Sequence, residues 1–139
     1  MKWKALSLAG VACTLLAVPA LAHHSFAMFD HNVKTIRTGM ISGFEWLNPH
    51  CWVHLSVTDP ATGRTAVWSF EGGSTGQLAQ SGWTGNSLKG GEAVDIEFHP
   101  LRDGSNGGML LAVMFHDGRY LCQGPECRGE TPRVGGNQQ

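Results

Sequence analysis

Two groups of residues in this chain have types and spacings that could do chemistry. The first is His23-His24 in "LAHHSF", where an apolar stretch gives way to polar sequence. The second is "PHCWVH", in which His50, Trp52 and His54 fall on alternate positions. A histidine at a free N-terminus carries an α-amino nitrogen beside its imidazole, and the two can chelate one metal from a single residue. That amine is available near neutrality, because its ordinary pKa is only about 7.7–8.0. Nitrogen donors of this kind suit Cu(II), and imidazoles suit copper, zinc and nickel generally. His24, His31, His50, His54, His99 and His116 are the other imidazoles that could complete such a set.

The chemistry of His23 depends on what precedes it. Lys2 and Lys4 form a positive start, Ala5 to Val18 is mostly apolar, and Pro19 is followed by Ala20-Leu21-Ala22. This is the pattern of a secretory signal peptide over residues 1–22, with cleavage after a small-x-small triplet. The apolar run is shorter than the roughly 20 residues that a membrane span requires. "GVAC" at 10–13 loosely resembles a lipobox, but cleavage there would leave a very short leader. Cleavage after Ala22 makes His23 the first residue of the mature chain and implies a periplasmic or secreted protein.

Removing 22 of 139 residues leaves 117, the size of one small domain. Lys2 and Lys4 go with the leader, so eight Lys and Arg face eleven Asp and Glu, a formal charge of −3. No basic run is present, which argues against nucleic acid as a partner. No second hydrophobic segment calls for membrane insertion after cleavage. A metal ion, a small ligand or another periplasmic protein remain as partners.

His50 and His54 are four residues apart on what reads as a strand. They share a face but stand about 13 Å apart, too far to bind one ion together. With Trp52 between them, the face reads as a ligand platform of Trp46, Asn48, His50, Trp52 and His54, with Arg102, Asp103 and Asn106 facing it from a later loop. Aromatic faces flanked by polar groups suit sugars or other flat, polar ligands. Glu45 and Glu71 are the best-placed carboxylates for acid–base work. No nucleophile elbow, phosphate-binding loop, zinc-protease helix or paired CxxC occurs, so no enzyme is expected.

The elements that must position these residues are mostly strands. Thr35 to Trp46 reads as a strand broken by Gly39 and Gly43, which mark a bulge or bend. His50 to Thr58 alternates cleanly, with Cys51, Val53, Leu55 and Val57 on one side. "DPATGR" is a hairpin turn, and Thr65 to Glu71 returns with Ala66, Trp68 and Phe70 on one face. Ser74 as N-cap and Gly82 as stop predict a short helix. Val94, Ile96 and Phe98 predict a fourth strand facing inward, and Met109 to Phe115 a last, fully apolar one. This order is that of an all-β domain with one short helix, a small five-stranded OB-like barrel over residues 23–128, with a β-sandwich as the alternative. Residues 129–139 read as a disordered tail. Cys122 and Cys127 flank the turn-prone "QGPE" and predict a local disulfide, which leaves Cys51 as a small core residue.

The stretches "HHSF", "EWLNPHCW" at 45–52, "WSFEGGS" at 68–74, "GWTGNSLKGGEAV" at 82–94 and "DGS" at 103–105 resemble a family of small exported bacterial proteins. That family is catalogued only as a domain of unknown function (DUF6152). The resemblance runs to about Tyr120 and implies periplasmic location and a β-barrel-like domain, but no activity. The Cys122–Cys127 pair lies beyond it, and Cys51 stands where a small non-thiol residue is expected.

Overall fold

The computed structural model describes residues 26–124 and Cys127. The expected signal peptide, His23, His24 and the tail from 129 onward lie outside the described residues. The elements are β1 (Thr35–Glu45), β2 (Trp52–Thr58), β3 (Thr65–Glu71), α1 (Thr75–Gln80), β4 (Ala93–Pro100), β5 (Gly107–Phe115) and β6 (Tyr120–Cys122). Strands pair in the order β3-β2-β1-β4-β5-β6, and an extra parallel pairing of β3 with β5 closes the first five into a barrel. This is the small all-β barrel with one short helix that the element order predicts, not the two packed sheets of a sandwich.

Alternation decides what enters the barrel. On β2, Val53 and Leu55 are fully buried and meet Phe70 and Trp68 across the β2–β3 ladder. Val94, Ile96 and Phe98 of β4 join them in one core with Leu110, Val113 and Phe115 of β5. The β1–β2 register shifts between Ile41 and Gly43, so Ser42 is the extra residue of a bulge. One added residue reverses which side chains face inward. Ile41 points into the core before it, Phe44 packs on the core after it, and Glu45 is thereby turned outward. Gly107 sits where β5 approaches β3 most closely: a Cβ there would fall onto the Ser69 carbonyl. Its φ of +153° is also one that other residues rarely adopt.

Helix α1 begins as the sequence requires, with Ser74 and Gln77 forming a reciprocal capping box. It is anchored to the barrel by Leu78, and the following Trp83 is buried and donates to the Cys122 carbonyl. Three boundaries differ from the sequence reading. β1 ends at Glu45, β2 starts at Trp52 instead of His50, although Cys51 still exchanges backbone bonds with Gly72 and Gly73, and β5 begins at Gly107. Met109–Phe115 is also not the end of the sheet. Gly118 (φ +91°) turns the chain, and Tyr120–Cys122 adds β6, a strand too short for periodicity to announce.

Ahead of β1, residues 26–33 form a strap across the β4–β5 loop. Phe29 is buried and bridges to Leu101, the Asp30 amide donates to the Pro100 carbonyl, and the Arg102 amide donates to Met28. His99, buried at 7 % exposure, has Nδ1 2.6 Å from the Val33 carbonyl. Cys122 and Cys127 form the expected disulfide, and Cys51 is a buried thiol. Burial pushes the Cys51 thiol up, against a smaller lowering from its bond to Leu47, so it stays protonated and is no ready ligand.

Candidate functional site

The outer face of β1, β2 and β3 brings together imidazole, carboxylate, hydroxyl and indole side chains. Because pairing is in register, Trp52 stands opposite Glu45 on one side and Glu71 on the other. The next row is Gly43, His54 and Ser69, and beyond it Met40, Ser56 and Val67. His50 lies just before β2, on the same side as Trp52.

Each glutamate beside Trp52 takes one of the histidines. His54 Nε2 is 2.8 Å from Glu45 Oε1, and its Nδ1 is 2.9 Å from Ser69 Oγ. His50 Nδ1 is 3.2 Å from Glu71 Oε1 and also 3.2 Å from the Gly72 carbonyl. Trp52 is therefore flanked by two imidazole–carboxylate pairs set diagonally across three strands. Gly43 is part of the construction: a Cβ there would meet His54 Cδ2 at 3.3 Å, so the missing side chain leaves the slot through which the ring reaches Glu45.

The two histidines are chemically different. A carbonyl can only accept, so the Gly72 contact fixes His50 as the Nδ1–H tautomer. In the neutral ring Nε2 is then the nitrogen left for a ligand. A ring N–H donated to a carbonyl or carboxylate while the other nitrogen faces out is the usual setting of a metal-binding histidine. His54 has both nitrogens engaged and offers none. The Glu45–His54–Ser69 chain has the members of a hydrolytic triad. The Ser69 amide, however, donates to the Asn106 carbonyl and is not free to stabilise an oxyanion there.

Beside this face lies a cavity of about 1030 Å³. His50 and Glu71 form part of its wall, with Phe26 and Phe29 of the strap, Gln77 of α1 and Met109 of β5. The disulfide cysteines line it too. Alternation within one strand could reveal the platform, but no periodicity joins the strap, α1 and β5, so the cavity has no sequence signal.

Of the residues singled out by sequence, His50, Trp52 and His54 share the outer face. Trp46 instead packs against the core beside Phe44. Asn48 accepts from the Thr75 amide and hydroxyl and so ties the β1–β2 loop to α1. Arg102 is engaged by the strap, through the Ala27 carbonyl and Asp30, and Asp103 caps its own loop at Ser105. Asn106 meets β3 through its carbonyl, which accepts from the Ser69 amide. His31 Nε2 meets the Phe26 carbonyl at 2.9 Å, its ring stacked on Phe26, and His116 lies 3.6 Å from Asp95. Among the described residues, no three His, Cys, Asp or Glu side chains converge as a metal site.

A family model for a family of unknown function, DUF6152, matches residues 11–111. The chain belongs to that family. The match spans β1 to β4 and the first half of β5, and so includes the whole platform and the strap. No curated protein and no solved structure matches the chain. No helix among the described residues is long and apolar enough to cross a membrane.

Proposed function

We propose that this family member is an exported, periplasmic binding module that holds a Cu(II)-type metal at the mouth of the cavity. Cleavage after Ala22 supplies His23 with its amine and imidazole, His50 supplies Nε2, and His24 assists. One observation carries this reading: His50, bonded through Nδ1 and half-exposed, lines the same cavity as Phe26, two residues after His24. Two residues of chain reach at most about 7 Å, and three about 11 Å, so the reading requires Phe26 and His50 to face each other across the cavity within that span. The Gly72 carbonyl, which takes the Nδ1 proton, would then orient the ring, with the Glu71 carboxylate 3.2 Å from Nδ1 adding to its basicity. The test is the intact mass of the exported protein under non-denaturing conditions, with and without Cu(II). The expected result is a chain starting at His23 that takes up one copper, with uptake lost in His23→Ala and weakened in His50→Ala. A chain starting elsewhere, or full affinity in His23→Ala, would rule the reading out.

A second reading rests on a different observation, the flanking of Trp52 by two oriented imidazole–carboxylate pairs. In OB-like barrels the face of strands 2 and 3 is the usual ligand surface. On this reading the outer face binds a small ligand, or a side chain of a partner protein, stacked on Trp52. Trp52→Ala then abolishes binding while leaving the fold intact, and unchanged binding would count against it.

A further inference from the structure

We propose that the ligand of the Trp52 face is an organic cation, such as an alkylammonium group, seated on the indole between Glu45 and Glu71. The inference rests on the second reading above, that a ligand stacks on Trp52.

Charge is the first argument. The outward positions around Trp52 are Met40, Gly43 and Glu45 on β1, Ser56 on β2, and Val67, Ser69 and Glu71 on β3. None is Lys or Arg, so the two carboxylates, each set against an imidazole, are the acidic groups at those positions. Spacing is the second. Glu45 and Glu71 lie on strands either side of β2, two strand spacings or roughly 10 Å apart at the backbone. The pair therefore brackets Trp52 from opposite strands, each carboxylate drawn to its own histidine. That spacing suits a bulky cation whose charge is spread over several carbons. The aromatic is the third: indole is the side chain that attracts cations most strongly through its face, and quaternary ammonium groups are the ligands so recognised.

The site is held in shape before any ligand arrives. His54 is fixed at both nitrogens and keeps Glu45 close to the sheet, while Glu71, only 12 % exposed, is held by His50. Gly43 removes the one side chain that would crowd the ring of His54.

The experiment compares choline with 3,3-dimethylbutan-1-ol, its uncharged isostere, by calorimetry on the mature, metal-free protein. Choline is expected to bind at least tenfold more tightly than the isostere. Trp52→Ala is expected to abolish that binding and Trp52→Phe to retain part of it. Glu45→Gln and Glu71→Gln are each expected to weaken it roughly threefold to tenfold. His23→Ala should bind choline normally, which separates this site from the copper reading. Equal binding of choline and the isostere would overturn the cation and leave a neutral ligand on Trp52. Choline affinity unchanged in Trp52→Ala, or no choline binding to a folded wild type, would also overturn the proposal. Circular dichroism of each variant establishes that the barrel is intact.

Discussion

Strands β2 and β5 are both central to the barrel, yet one has an open face and the other has none. On β2 burial alternates: Val53 and Leu55 are sealed while Trp52, His54 and Ser56 stay partly exposed. On β5 every residue from Leu110 to Phe115 is buried. On its outer side Met109 and Leu111 face the cavity walled by Phe26 and Phe29 of the strap and by the disulfide cysteines, so both sides of β5 are apolar. Among the described residues the outer side of β2 stays partly exposed, and there the chain places imidazoles, carboxylates and an indole. A barrel this small has little interior to spare, so its chemistry sits where alternation leaves a face uncovered, and the covered strand supplies closure and core.

The contrast can be broken from the inside first. Phe70→Ala removes a fully buried ring at the β2–β3–β5 contact and is expected to cost about 3–5 kcal/mol, read by chemical denaturation. A loss below about 1 kcal/mol would mean the barrel does not depend on that core. Gly107→Ala comes next, because backbone meets backbone where β5 closes on β3 and neither can swing aside. Roughly 1–3 kcal/mol is expected, with faster hydrogen exchange at 69–71 than elsewhere in β3.

Outer-face substitutions should matter much less to stability. Ser69→Ala removes one partner of His54 and is expected to cost about 1 kcal/mol, with a shift of the His54 ring signals in NMR. The smallest effect belongs to Glu92. Its bond to Arg119 holds the carboxyl below the ordinary range, aided by the Lys89 amide and opposed by partial desolvation. A lowered folded-state pKa gives stability that is present above the unfolded value, about 4.3, and is lost as pH falls through the folded value. Glu92→Gln should therefore melt within about a degree or two of the wild type near neutrality. The difference should shrink as the pH falls below the ordinary carboxylate range. A gap that widened on acidification would contradict the sign.

Much of this was legible in the sequence because period-2 alternation is strong where one face is core. Val53 and Leu55 against Trp52 and His54, and Val94, Ile96 and Phe98 on β4, are of that kind. The N-cap at Ser74 and the Cys122–Cys127 disulfide were equally local. Three things were not legible. The bulge that turns Glu45 outward depends on the register with β2, although Gly43 hinted at it. The tautomer of His50 depends on Gly72, a residue 22 positions away. The cavity depends on three elements that meet only in space. Trp46 misled for the opposite reason: its neighbours resemble a surface motif, but Phe44 and Trp83 draw the aromatic cluster inward.

The central claim is that a metal is held jointly by the chain's mature N-terminus and His50. Electron paramagnetic resonance of the Cu(II)-loaded exported protein tests it most directly by counting coordinated nitrogens. The account predicts at least three, the His23 amine, the His23 imidazole and His50 Nε2, with one imidazole lost in His50→Ala and none lost in His54→Ala. A nitrogen count that His50→Ala leaves unchanged would contradict it.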